Sequence, residues 1–258
     1  MMPRRPALLV LLAILVLALT ACRPADPAWA RVQETGVLRV GLDASYPPFE
    51  ALSADGQPTG FDVDLAREVG RRLGVEVEFT NIAYDGLYDA LVSGQVDVLI
   101  SALAPAYGSQ SRAVFSDPYF NAGDYLVTPR GSPVREMADL GGHTLAVEVG
   151  SGGDVEARRW QRRVAGLTVE RYDTPAEALQ AVLDGEADAA LVDGISARLG
   201  VGEHEALALR EGVTELLFAA AVHEDSTRLL AELNDALEEI VEDGTIEALT
   251  QAWFNAPY

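Results

Sequence analysis

The feature that most narrows the possible folds is a pattern written twice. ALVSGQVDVLIS, from Ala90 to Ser101, resembles AVLDGEADAALVD, from Ala181 to Asp193, with Gly94 over Gly185 and Asp97 over Asp188. In each copy a helical pattern stops at a glycine and a short apolar run follows, which predicts a helix, a turn and a buried strand. GVLRVGLDAS near Gly36 has a similar counterpart in GHTLAVEVGS near Gly142. A repeated unit of this kind needs two cores. At 258 residues and 49% hydrophobic, the chain can bury two modest ones.

The segments around the repeats alternate between strand and helix patterns, which predicts an α/β architecture with largely parallel sheets. VLRVGL reads as the first strand. DVDLAREVGRRLG reads as a helix with Asp62 or Asp64 near its start, an apolar stripe of Leu65, Val69 and Leu73, and a stop at Gly74. VEVEF, YDGLYDALVSG and VDVLIS complete one half as strand, helix and strand. NAGDYLVTPRGSP and TELLFAAAVHEDS are the expected crossings between two lobes. RLLAELNDALEEIVEDG and TIEALTQAWF read as amphipathic helices that return to the first lobe. The expected boundaries are 34–125 for the first part of lobe 1, 126–217 for lobe 2 and 218–258 for the return. Open α/β sheets bind ligands beyond the carboxyl ends of their strands, so two facing lobes place a ligand in the cleft between them.

Ahead of these units stands MMPRRPALLVLLAILVLALTAC: two arginines, an apolar run from Ala7 to Leu19, and small residues ending at Cys22, the only cysteine. The layout is that of a secretory signal. Roughly 13 apolar residues fall short of the ~20 a spanning helix needs. Leu19-Thr20-Ala21-Cys22 resembles the bacterial lipobox, in which the cysteine receives a diacylglycerol and becomes the mature N-terminus. Residues 1–22 are therefore expected as a signal peptide and 23–33, with Pro24 and Pro27, as a flexible tether.

The formal charge of −21 and pI near 4.4 argue against nucleic acid or an anionic lipid surface as a partner. All 19 basic residues are arginine, which excludes a phosphate loop ending in Gly-Lys and any Schiff-base lysine. His143, His204 and His223 are scattered, and no serine-hydrolase elbow, zinc-protease motif or cysteine–histidine cluster occurs, so neither a metal nor a cofactor is expected. The glycines that open SGGDVEARRWQRR could draw an anion to a helix start, a weak signal beside the solvated arginine face that follows.

Taken in order, VLRVGLDASYPPFE, GQPTGFDVDLAREVGRRLGVEVEF, YDGLYDALVSGQVDVLISAL, FSDPYF, YDTPAEALQAVLDGEADAALVD and EDGTIEALTQAWF resemble the extracytoplasmic solute-binding proteins of polar amino acid ABC importers. The resemblance covers nearly the whole chain after the signal. It implies a two-lobed periplasmic-binding-protein fold that closes on an amino acid or amine and docks on permease subunits. With the lipobox, the mature protein is expected outside the cytoplasmic membrane, attached only through its lipid, and as a monomer. On the matching positions it places Asp43, Tyr46 and Tyr84 on the cleft, with Ser101 and Ala102 in the loop after a strand, and Asp193 as the second-lobe carboxylate that pairs with an ammonium.

The resemblance breaks at the ligand's carboxylate. The family's clamping arginine falls on Ser109, its serine or threonine donor on Ala104, and its Gly-Thr-Thr turn on Gly150-Ser151-Gly152. Three explanations stay open: Arg112 reaches back from one helical turn away, backbone amides at Ala104 and Gly152 hold a carboxylate alone, or the ligand lacks one. A cyclohexadienyl dehydratase-like enzyme and a sensing module for a partner receptor are the alternatives from other classes. Substrates of the enzyme are polycarboxylates, which a cleft without its arginine suits poorly.

Overall fold

The computed structural model describes residues 26–105 and 112–255. Cys22 and Ser109 lie outside the described residues, as does the apolar run from Ala7 to Leu19. The expected tether is corrected from Pro27 onward, because Pro27–Thr35 forms a helix, α1. Asp26 caps it by accepting the Trp29 N–H, and Pro27 sits in its first turn, where no N–H is needed. Val32 is fully buried, and Ala28 and Trp29 pack on the same core. Proline in this stretch starts a helix rather than preventing one.

The first unit runs β1 (Val37–Leu42), β2 (Ser45–Tyr46), β3 (Glu50–Leu52), β4 (Pro58–Thr59), α2 (Phe61–Leu73), β5 (Glu76–Asn81), a 3-10 turn at Tyr84–Gly86, α3 (Leu87–Val92) and β6 (Val98–Leu99). The long strand β7 (Ala113–Asn121) then leads into β8 (Asp124–Pro129) of the second unit. That unit continues with β9 (Thr144–Glu148), α4 (Gly152–Gln161), β10 (Thr168–Tyr172), α5 (Pro175–Leu183), β11 (Ala189–Asp193), α6 (Gly194–Glu203) and β12 (Leu207–Gly212). The chain returns through β13 (Leu217–His223) and ends in α7 (Thr227–Glu242) and α8 (Thr245–Phe254), which pack on the first core through Leu229, Leu233, Ile240, Ile246 and Phe254.

The two five-stranded sheets share one plan. The first has order β5-β1-β6-β13-β7 and the second β10-β9-β11-β8-β12. In both, three parallel strands are followed by two antiparallel ones. The sequence repeat has a physical counterpart here. Gly94 and Gly185 both stop a helix in the left-handed region, at φ 74° and 76°. Asp97 then accepts the Arg39 N–H at 2.9 Å, and Asp188 accepts the Thr144 N–H at 2.8 Å, so each aspartate pins the start of its strand to that strand's parallel neighbour. Arg31 and Arg39 also pair with Asp97, which has almost no solvent exposure.

The two crossings touch where β7 passes into β8. An added Cβ at Gly123 would lie 2.2 Å from the Thr214 carbonyl oxygen, so only glycine allows this approach. Beside it Arg198 of α6, 2% exposed, lies between the rings of Phe120 and Tyr125 at 4.8 and 4.5 Å. Its Nη1 donates to the carbonyls of Gly194 and Asn121. A buried arginine thus ties the second unit's helix to the strand that leaves the first.

Candidate functional site

β1 ends at the cleft, and its next residue, Asp43, organises the first-lobe wall. Asp43 Oδ2 accepts the Tyr84 N–H at 2.8 Å, which fixes the turn that carries the Tyr84 ring. The Asp43 N–H donates to Ser101 Oγ at 3.0 Å, and Ser101 Oγ–H donates to Glu50 Oε1 at 2.7 Å. Tyr46 stacks on Phe49, with ring centroids 5.7 Å apart. Tyr46 and Tyr84 remain 45% and 57% exposed, a large aromatic area left open to solvent at one spot. A cavity of about 310 Å³ lies between them, lined also by Asp43, Ser45, Glu50 and Ser101, with Ala102 and Phe218 completing the wall.

Ala102 adopts φ 45°, unusual for a residue with a Cβ, and its N–H donates to Asp62 Oδ2 at 2.6 Å. Asp62 is fully buried at the start of α2, and the Tyr119 hydroxyl donates to the same oxygen. Glu50, only 1% exposed, stands beside it. The buried oxygens left without a hydrogen-bond partner include one from each carboxyl, Glu50 Oε2 and Asp62 Oδ1. One proton shared between them satisfies both. Burial, and next the charge of Asp62, push the Glu50 carboxyl up to about 10, so Glu50 holds the proton; burial raises Asp62 to about 6. The cavity floor is therefore a neutral acid hydrogen-bonded to a buried carboxylate.

On the second lobe Asp193 ends β11 and caps α6, its Oδ1 accepting the N–H groups of Ile195 and Ser196 at 3.1 and 2.9 Å. Burial, and next the charge of Asp193, raise the pKa of the Tyr46 hydroxyl, so this carboxylate acts on the first-lobe wall across the cleft. Ser151 caps α4: its Oγ accepts the Asp154 N–H and its O–H donates to the Glu148 carbonyl. The Ser151 hydroxyl is thus engaged within its own turn. Asp124 begins β8 directly opposite Asp193 in register.

Of the residues singled out from sequence, Asp43, Tyr46, Tyr84, Ser101 and Ala102 come together around the cavity. Asp193, Ser151 and Gly152 stand at the carboxyl ends of second-sheet strands. Ala104 packs against the first core instead of lining the cavity. Arg112 pairs with Glu224 and Asp225 just past the far end of β13. Phe218, which does line the cavity, is six residues before Glu224, about 20 Å along a strand. Arg112 does not reach the cavity in this structure. Sequence reasoning missed Glu50, Phe218, Asp62, Tyr119 and Asp124. Glu50 follows Phe49 in SYPPFE, and nothing in that string marks a glutamate as buried.

Comparison with known proteins identifies the family and the scaffold. The family model for bacterial extracellular solute-binding proteins, family 3, matches residues 38–256. The chain belongs to that family. Among relatives of this solute-binding protein, the L-cystine-binding protein TcyJ of Escherichia coli (strain K12) is 32% identical over 88% of the chain and 85% of its own length. A solved ancestral cationic amino acid solute-binding protein is 30% identical, with TM-score 0.62 over 87% of this chain and 98% of that one. A solved ancestral cyclohexadienyl dehydratase is 25% identical, with TM-score 0.80 over 92% and 99%. Binding proteins and a dehydratase thus share this scaffold, and the side chains in the cleft have to separate them.

The buried acid pair gives this solute-binding protein a defined pH response. An unfolded glutamate releases its proton near 4.5, whereas folded Glu50 keeps its proton up to about 10. Between those values the folded state binds the extra proton, so Glu50 makes stability fall as pH rises. Glu50→Gln removes this term, and urea unfolding of both proteins at pH 5.5, 7 and 9 should show the variant gaining on the wild type with pH. A difference that stays constant, or shrinks, would contradict the shared proton.

Proposed function

We propose that this protein captures a small cationic solute, an amino acid or an amine, outside the cytoplasmic membrane and delivers it to the permease subunits of an ABC importer. The observation that carries the reading is the composition of the cleft wall. Two acids, Asp43 and Asp193, and two exposed rings, Tyr46 and Tyr84, bound it, and among the described residues no arginine lines the cavity. Closure of the two lobes expels water, which strengthens an ammonium–carboxylate contact and lets the rings add apolar area and cation–π attraction. A cavity of about 310 Å³ is of the size small ligands fill. Relatives named for arginine, for lysine, arginine and ornithine, and for cationic amino acids support the cationic class, whereas the one named for cystine supports only an amino acid. An acid-walled site repels the polycarboxylates a dehydratase of this fold would take, so the binding reading is preferred.

The closed protein acts as a monomer, held to the membrane by a diacylglycerol on Cys22 after cleavage behind Ala21. The lipobox string and its arginine-led apolar run support this part of the reading. Mass spectrometry of the membrane fraction should find an acylated Cys22 at the N-terminus; a mature chain that keeps Met1 would contradict it.

Calorimetric titration with arginine, lysine, ornithine, cystine, glutamine and glutamate tests the ligand class. A cationic member should bind best, and Asp193→Asn should weaken it about 30-fold or more, since a desolvated cation would lose its charged partner. Preference for glutamate, or an unchanged affinity in Asp193→Asn, would count against the reading.

A further inference from the structure

Asp124 was not marked by the sequence, and its surroundings are unusual for an acid. It is the register partner of Asp193, so two carboxylates stand on neighbouring strands about 5 Å apart at the backbone, on the cleft edge of the second sheet. Directly opposed like charges are unfavourable. Among the described residues Asp124 has no arginine partner, while Asp154 nearby, fully buried, is answered by both Arg158 and Arg171.

The local donors explain how Asp124 is tolerated. Thr214 Oγ–H donates to its Oδ2 at 2.9 Å, the Asp124 N–H returns a bond to Thr214 Oγ at 2.7 Å, and the backbone of Gly152 and Gly153 lies against its carboxylate. Space is made by two glycines. A Cβ at Gly152 would come within 3.0 Å of Asp124 Oδ2, and one at Gly153 within 3.4 Å of Oδ1 and 2.7 Å of the Leu191 carbonyl. The carboxylate rests on the first turn of α4.

That turn follows the carboxyl end of β9, where unpaired N–H groups and the positive end of the helix would otherwise receive an anion from the cleft. Here the chain fills the place itself. The Asp124 carboxylate lies against Gly152 and Gly153, Ser151 Oγ takes the Asp154 N–H, and the Asp154 carboxylate takes the Gly150 N–H. An arriving carboxylate meets a resident one, and an arriving cation meets two acids side by side.

We propose that Asp124 is a specificity-determining residue: its carboxylate occupies the start of α4 as a built-in anion, excludes a carboxylate of the ligand from that position, and with Asp193 forms an acidic wall for an ammonium or guanidinium. This rests on the reading of the cleft as a cation site and adds that the ligand's own carboxylate contributes little to affinity.

The test uses matched probes that differ only by the α-carboxylate: arginine and agmatine, lysine and cadaverine, ornithine and putrescine. Calorimetry on the purified protein gives the affinity ratio of amine to amino acid within each pair. In the tightest-binding pair the wild type should bind the amine at least as well as the amino acid. Asp124→Asn and Asp124→Ser, which free the turn of charge, should move that ratio toward the amino acid by about tenfold or more.

A wild-type preference for the amino acid above tenfold overturns the proposal without any variant, and leaves the cation reading standing. If the amine is preferred and both folded variants keep the wild-type ratio within about twofold, Asp124 is not the determinant. If none of the six probes binds, the cation reading falls and the proposal falls with it. Should Asp124→Ser fail to fold, the isosteric Asp124→Asn decides.

Discussion

Carboxyl groups without arginines to answer them are the constraint on which the rest of this structure turns. Asp43 and Glu50 line the cavity, and Asp124 and Asp193 stand on the facing edge of the second sheet. A charge deprived of water is costly unless it is neutralised, hydrogen-bonded or paired. The protein uses the first two remedies within itself. Glu50 keeps its proton beside Asp62, while Asp43 and Asp193 accept backbone N–H groups and Asp124 accepts the Thr214 hydroxyl and lies against the first turn of α4. On the proposed reading the third remedy, a cation, comes from the ligand, and a closing cleft that expels water would favour a positively charged guest over a negative one.

The duplicated scaffold places these acids opposite each other. Each unit brings three parallel strands to the same edge, and each borrows the architecture of its antiparallel strands from the two crossings. Gly123 lets the crossings touch, and Arg198 binds α6 to the end of β7 through two rings and two carbonyls. Ile195 and Leu199 of α6 also pack on the first core, and the Asn255 side chain donates to the Gly202 carbonyl, so the same helix is held against the end of α8 as well.

Much of the scaffold was legible because the repeat obeys local chemistry. Gly94 and Gly185 stop helices by adopting a left-handed φ, and Asp97 and Asp188 grip the parallel strand next to their own, so the spacing of these residues carried the topology. Asp43, Tyr46 and Tyr84 were visible through a resemblance covering long ordered motifs. Three features were hidden. Residues 27–33 looked like a tether because prolines break helices in most contexts, yet Asp26 and Pro27 form a helix start and Val32 supplies the burial that makes it hold. Arg112 looked able to reach the cleft when counted along the chain, but β13 carries its partners to the opposite end of the sheet. Glu50 and Asp124 stayed unseen because their roles depend on partners 51, 12 and 90 positions away in Ser101, Asp62 and Thr214, and no local pattern encodes such contacts.

A structure of the protein with its tightest-binding small cation would test the central claim most directly. The account predicts a ligand nitrogen within hydrogen-bond distance of Asp193 or Asp43, with the Tyr46 and Tyr84 rings against the ligand. Asp124 should remain on the first turn of α4. A ligand carboxylate seated on that turn, with Asp124 displaced and the ammonium facing solvent, would contradict it.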